Sequence, residues 1–146
     1  MKEIILKIKR TIRYLFYRNL NIIEQIKISE QLIDSNLLSQ YWKMSKADRQ
    51  HSYEVYSRTK NISDNKELLL LSLLHDIGKA NIDAGLFFRV FTDLGLIKNY
   101  KSKMYLNHEL IGLQILKDIN ANENIIEYYN NNLLNQKNII LDKTDY

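Results

Sequence analysis

Apolar residues recur along this chain at the three- and four-residue spacing of amphipathic helices. A first helix is predicted from five positions that share one face: Ile4, Ile8, Ile12, Leu15 and Phe16. A second periodic segment spans about residues 22–33. The most apolar stretch, ELLLLSLL at residues 67–74, predicts a helix that is buried on all sides at the centre of the fold.

Helix-start signals divide the rest of the chain. Ser45 followed by Asp48 has the pattern of a capping box, so a helix carrying His51 is expected to begin there. Either Ser63 or Asp64 is expected to cap the apolar helix. Further helices are predicted at residues 87–94, after Asn107, after Asn122 and in IILDKTD at residues 139–145.

No feature of the sequence favours strands. Proline is absent, glycine occurs only four times, and no Asn-Gly or Asp-Gly hairpin signal is present. The predicted fold class is therefore all-α. We expect residues 1–146 to form a single domain, in which helices of residues 1–43 pack on a core of residues 44–146.

Composition limits location and partners. The longest apolar run near the N-terminus is the four residues 14–17, shorter than a signal-peptide core or a span of about 20 residues, so a cytoplasmic protein is expected. The net charge is +4, and beyond residue 20 basic and acidic residues are interspersed, so nucleic acid is not an expected partner. The apolar face of the first helix is expected to pack on the domain and not on a membrane.

The segment LLHDIGKAN places a polar group at the end of the apolar helix. A buried His-Asp pair, here His75 and Asp76, costs several kcal/mol unless both groups find partners, and a metal ion would pair with both. Gly78 is expected to supply a left-handed turn behind them. The other two histidines, His51 and His108, also fall near predicted helix ends, where they can reach a shared rim. Because cysteine is absent, such a metal would have nitrogen and oxygen ligands.

The motif HDIGK at residues 75–79, with His51 upstream, resembles the HD-domain superfamily of metal-dependent phosphohydrolases. The segments MSKADRQHSYEVY, LLSLLHDIGKA, LFFRV and YLNHELIGLQIL are similar to segments of small bacterial HD proteins in the same order, over about residues 44–146. The resemblance implies a bundle of about six to eight helices. It also implies one divalent ion, held by His51, His75, Asp76 and one further aspartate.

The fourth ligand is expected in the last helix. The family usually has Ala-Asp-Lys there after an apolar run, and IILDK at residues 139–143 makes Asp142 the candidate, with Asp145 as the alternative. Charge supports a second carboxylate, because two neutral imidazoles with Asp76 alone leave a divalent ion one charge short.

The resemblance implies hydrolysis of a nucleotide or another small phosphate ester by metal-activated water. In that mechanism Asp76 also accepts a proton from the water, and Lys79 pairs with the substrate phosphate. His108 protonates the leaving oxygen or holds the phosphate. Arg89 is a further substrate-binding candidate, or an arginine that merely extends from an amphipathic helix towards solvent.

The chain also departs from the family. Asn130, Asn131 and Asn132 occupy the stretch where two-metal members have a further histidine, and the Gly-Tyr-Pro signature of the cyclic-dinucleotide phosphodiesterases is missing. One ion is therefore expected, with Mn, Fe, Ni or Zn favoured and Mg as a further option. The alternative is a catalytically silent binding or regulatory module that keeps the fold and the metal.

Overall fold

The regular elements of the chain are helices. The computed structural model describes residues 5, 9 and 12–146, and this part contains no strand, which confirms the all-α prediction. Residues 12–16 are helical. Nine α-helices follow: α1 Ile22–Gln31, α2 Ser35–Lys43, α3 Lys46–Lys60, α4 Lys66–Leu74, α5 Leu86–Asp93, α6 Tyr100–Leu106, α7 His108–Asp118, α8 Glu123–Tyr129 and α9 Ile139–Thr144. A 3₁₀ turn spans Ile77–Lys79, and a π-helical segment, Asn130–Asn135, extends α8.

The described residues hold more helices than the six to eight expected, because two short ones escaped the sequence pattern. Asp34 caps the start of helix α2, and its side chain accepts from the amides of Asn36 and Leu37. Asn99 caps the start of helix α6 and forms a capping box with Ser102. Seven- and nine-residue helices give too few apolar repeats for periodicity to reveal them.

The buried helix α4 begins one or two residues later than predicted. Its cap is Asn65, whose side chain accepts from the amide of Leu68 at 2.9 Å. The expected cap Ser63 instead accepts from the amide of Asn65, and Asp64 pairs with Lys60. Helix α4 is the centre of the core, as expected. Its fully or almost fully buried leucines are Leu68, Leu69, Leu71, Leu73 and Leu74.

Gly78 does not adopt the left-handed conformation that the sequence predicts. Among the described glycines, positive φ occurs at Gly95. Gly78 lies in the 3₁₀ turn, where a Cβ would overlap the carbonyl oxygen of His108 and lie 2.7 Å from the amide nitrogen of Gly112. Glycine is needed there because the turn packs directly on the backbone of α7. This close approach brings Asp76 beside His108.

The expectation that the first apolar face packs on the domain is wrong for its described members. Their exposed fractions are 52% for Ile12, 63% for Leu15 and 79% for Phe16. Ile4 and Ile8 lie outside the described residues. Tyr14, on the opposite side of this helix, and Tyr17, directly after it, contact the domain instead. In the described part of the chain, no helix has the length and apolarity needed to cross a bilayer.

Candidate metal centre

Two histidines and an aspartate converge where α3 and α4 pack together. His51, in the second turn of α3, and His75, which ends α4, have ring centroids 5.6 Å apart. One ligand atom from each of His51, His75 and Asp76 lies within 4.8 Å of the other two. The predicted convergence of these three residues is therefore present in the structure. The spacing of these three ligand atoms, and their nitrogen and oxygen chemistry, fit a divalent ion.

The ring of His75 is oriented as a metal-ligating imidazole would be. Its Nδ1 lies 2.8 Å from the carbonyl oxygen of Ser72, which can only accept, so Nδ1 carries the proton. The neutral ring then presents a lone pair at Nε2. That atom is buried and has no hydrogen-bond partner in the part of the chain that the structure describes. Such a tautomer, fixed by a backbone carbonyl, is typical of histidines that bind metals.

Two carboxylates face this lone pair. Nε2 of His75 lies 3.7 Å from Oδ2 of Asp76 and 3.7 Å from Oδ1 of Asp145. A lone pair and two carboxylate oxygens repel one another unless a cation or proton lies among them. Burial lowers the pKa of His75, although both carboxylates act in the opposite direction. The neutral ring is therefore the favoured form, and a cation would remove the repulsion.

The structure places Asp145, and not Asp142, beside the histidines. Oδ1 of Asp145 lies 3.0 Å from Nε2 of His51, and its side chain is 13% exposed. The side chain of Asp142 is 71% exposed and lies 3.8 Å from Nζ of Lys137. The predicted position of Asp142 is thus wrong: Leu141 is fully buried on the inner face of α9, so its neighbour Asp142 faces solvent.

Asp145 points inward because it follows the last residue of α9, where the backbone leaves the helix. Buried Thr144, one residue earlier, places its hydroxyl 2.9 Å from that of Thr59 on α3. Arg58 donates to the carbonyl oxygen of Thr144 at 2.9 Å, and its guanidinium lies 4.1 Å from the ring centroid of Tyr146. These contacts hold the end of the chain against α3, beside His51.

Asp145 is ionised in this arrangement. Its burial opposes the charge, but the hydrogen bond with His51 and the nearby His75 outweigh burial and lower its pKa below the ordinary range. Nζ of Lys137 also lies 2.7 Å from Oδ2 of Asp145. The oxygen that faces the histidines is Oδ1, so the lysine and the imidazoles approach different oxygens of one carboxylate.

Asp76 joins the cluster to two further predicted site residues. Nζ of Lys79 lies 2.8 Å from Oδ2, and Nε2 of His108 lies 3.1 Å from Oδ1. Burial of Asp76 opposes its charge, but Lys79 and both neighbouring histidines outweigh burial and hold its pKa well below the ordinary range. Lys79 is itself largely buried, yet Asp76 and Asp48 keep its pKa above the ordinary value. Both expected catalytic partners therefore contact Asp76.

Arg89 is neither a free phosphate contact nor an exposed arginine. Its guanidinium makes a two-pronged pair with Asp48, with both N···O distances 2.6 Å, and its Nε donates to the carbonyl oxygen of Ala84 at 2.7 Å. Asp48 also accepts from the hydroxyl of Ser45, the N-cap of α3. The sequence predicted that Ser45 caps α3. It did not predict that Asp48 pairs with Arg89, because α5 is distant from α3 along the chain. Arg89 therefore fixes α5 to the start of α3.

A cavity of about 110 Å³ opens beside the cluster. Its polar lining includes His51, Asp76, Lys79 and the Asp48–Arg89 pair, and its remaining walls are largely aromatic and aliphatic. Those walls are formed by Tyr14, Tyr17, Ala47, Leu86, Val90, Asp93 and Tyr105. The cavity therefore places a small space with largely aromatic and aliphatic walls directly beside the candidate metal ligands.

Sequence reasoning missed Tyr17 and Arg58 as parts of this site. The hydroxyl of Tyr17 lies 3.4 Å from Nδ1 of His51, and burial is the main factor that raises the pKa of Tyr17 to about 12. Tyr17 is therefore a neutral neighbour of a candidate ligand. No local signal distinguished it among ten tyrosines. Arg58 was noticeable only as a basic residue in the last turn of α3.

No protein-family model matches the chain, and no curated protein or solved structure is significantly similar to it. The likeness to the HD-domain superfamily accordingly rests on the sequence motifs.

Proposed function

We propose that this protein is a metal-dependent phosphohydrolase acting on a nucleotide or another small phosphate ester. The observation that carries the proposal is the buried Nε2 of His75, whose lone pair faces Asp76 and Asp145 without a hydrogen-bond partner among the described residues. Leaving such an atom unpaired costs about 1–3 kcal/mol, which ligation of a cation would offset.

The proposed ligands are His51, His75, Asp76 and Asp145. Two neutral imidazoles and two carboxylates compensate the charge of one divalent ion. The ion would replace the proton of the hydrogen bond that joins His51 and Asp145 at 3.0 Å. Imidazole nitrogen favours Mn, Fe, Ni or Zn over Ca. When bound, such an ion lowers the pKa of a coordinated water towards neutrality and polarises a phosphoryl oxygen.

The chain's own residues supply the remaining chemistry. Lys79 lines the cavity and carries a positive charge next to Asp76, so it can orient a phosphate of the substrate. In the proposed mechanism Asp76 also accepts a proton from the attacking water. His108, 3.1 Å from Asp76 and 20% exposed, can deliver a proton to the leaving oxygen. Tyr105 and Tyr17 offer aromatic walls to the group that carries the phosphate.

A second candidate function is a binding or regulatory module that retains a metal without turnover. It is supported by the pairing of the carboxylates within the chain: Asp76 contacts Lys79 at 2.8 Å, and Asp145 contacts Lys137 at 2.7 Å. A lysine already paired with a carboxylate is a weaker phosphate ligand than an unpaired one. The two candidates differ in turnover and not in metal content.

Elemental analysis and an activity screen test the proposal together. We expect about one transition-metal ion per chain, and hydrolysis of nucleotides or generic phosphate esters in the presence of Mn²⁺, Ni²⁺, Fe²⁺ or Mg²⁺. His75→Asn should lose metal and activity, whereas His108→Asn should keep the metal and lose most activity. Circular dichroism verifies that both variants fold. Metal without hydrolysis would favour the second candidate, and absence of metal binding would contradict both.

A further inference from the structure

The described part of the N-terminal helix exposes its apolar side. Ile5 is 49% exposed, and Ile12, Leu15 and Phe16 range from 52% to 79%. The helical period places Ile12, Leu15 and Phe16 on one face, and Ile5 and Lys9 are also helical and exposed. Several large apolar side chains on one exposed helical face are typical of an interaction surface.

The domain occupies the opposite side of this helix. The guanidinium of Arg89 lies 4.9 Å from the ring centroid of Tyr14, and the hydroxyl of Tyr17 lies 3.4 Å from Nδ1 of His51. Arg13 donates to the backbone carbonyl of Tyr146. Rotating the helix to bury Phe16 against the domain would break these contacts. The exposed face is therefore available to a partner outside the chain.

Charge is concentrated in the same segment. Residues 1–18 contain six Lys and Arg residues and one Glu, a net charge of +5, whereas the whole chain carries +4. Residues 19–146 accordingly carry −1. Two copies of the helix would repel each other through these charges, and a nucleic acid would leave the apolar face exposed. An anionic lipid surface accommodates both the cations and the apolar side chains.

We propose that the N-terminal helix binds an anionic lipid surface. Its apolar face enters the interfacial region of the bilayer, exposed Lys9 contacts the headgroups, and its tyrosine face stays on the domain. Arg13 and Arg18 keep their bonds to the carbonyl of Tyr146 and to Glu24. The helix lies on the bilayer and does not cross it. This inference is independent of the proposed hydrolase activity, although Tyr14 of this helix and Tyr17 directly after it contribute to the wall of the cavity.

Vesicle flotation tests the proposal with the full chain. We expect binding to phosphatidylcholine vesicles that contain about 30% phosphatidylglycerol, little binding to pure phosphatidylcholine, and release as salt is raised. Phe16→Ser should weaken binding about tenfold or more, because a large apolar group no longer enters the lipid. Ile33→Ser is the matched control, since Ile33 is also exposed, at 88%, but lies outside this helix.

A second pair of variants tests the charge. Lys9→Gln should weaken binding to the anionic vesicles, whereas Lys117→Gln, at another exposed lysine, should not. Circular dichroism verifies that each variant folds. Equal binding to neutral and anionic vesicles, or undiminished binding of Phe16→Ser, would overturn the proposal. A concentration-dependent dimer that dissociates in Phe16→Ser, without vesicle binding, would show that a second copy covers the face.

Discussion

Oδ1 of Asp145 lies 3.0 Å from Nε2 of His51, although 94 residues separate the two positions along the chain. The same oxygen lies 3.7 Å from Nε2 of His75. One carboxylate oxygen thus contacts both imidazoles of the candidate centre. The contact depends on the packing of the last helical turn against α3, so stability of that packing and metal affinity should be linked.

Gly78→Ala should destabilise the protein strongly. A Cβ at this position would overlap the carbonyl oxygen of His108, and the obstacle is backbone that cannot rotate away. We expect a loss of about 3 kcal/mol or more in the free energy of unfolding, measured by urea denaturation. Gly85→Ala is the control, since nothing lies within 4 Å of its Cβ position, and it should change stability by less than about 1 kcal/mol. Equal effects of the two substitutions would contradict the close packing of the 3₁₀ turn on α7.

The Asp48–Arg89 pair should make stability depend on pH. Burial of Asp48 opposes its charge, but Arg89 and Lys79 outweigh burial and lower its pKa in the folded state. A lowered folded pKa contributes stability above the unfolded value of about 4, and that contribution is lost as pH falls through the folded pKa.

Asp48→Asn should therefore cost most at neutral pH. There it leaves the buried Arg89 guanidinium without its counter-charge, a loss of about 3–5 kcal/mol. As the pH falls below the unfolded pKa of about 4 and then through the lower folded pKa of Asp48, the wild-type protein loses this contribution, so the difference between the two proteins should shrink. Urea denaturation at a series of pH values measures this difference. A difference that stays constant down to strongly acidic pH would show that the charge of Asp48 is unimportant.

Lys79→Ala should keep the metal and lower turnover. Removing Nζ leaves Oδ2 of Asp76 without the cation that lies 2.8 Å away, so affinity for a divalent ion should be unchanged or higher. Turnover of a phosphate ester should fall, because Lys79 is assigned to the substrate phosphate. Metal titration and steady-state kinetics measure the two effects separately. Lys143→Ala, at an exposed lysine, serves as the control. Loss of metal in Lys79→Ala alone would refute its assignment to the substrate.

The sequence predicted those features of the site that are local. The HDIGK motif and the Ser45 cap placed His75, Asp76 and His51 at the ends of helices, and the structure brings all three together. The pairing of Arg89 with Asp48 could not be predicted, because it depends on how α5 packs against α3.

The choice between Asp142 and Asp145 shows a second limit. Both lie in or next to the last predicted helix, and the motif IILDK favoured the first. The direction of each side chain depends on Leu141, which is buried completely, and on the point at which the backbone leaves α9. Neither can be determined from a six-residue helix by periodicity. The first helix shows the same limit. Its apolar face was predicted to pack on the domain, but an amphipathic pattern does not show which surface covers the apolar face.

The most direct test of the proposed centre compares Asp145→Asn with Asp142→Asn in a metal titration. The two substitutions are chemically identical and lie one helical turn apart, but only Asp145 contacts the histidines. We predict that Asp145→Asn lowers the affinity for Mn²⁺ or Zn²⁺ by about a hundredfold or more, while Asp142→Asn changes it by less than about threefold. Helicity measured by circular dichroism should be the same in both. A loss of affinity in Asp142→Asn, or unchanged affinity in Asp145→Asn, would contradict the assignment of Asp145 as the fourth ligand.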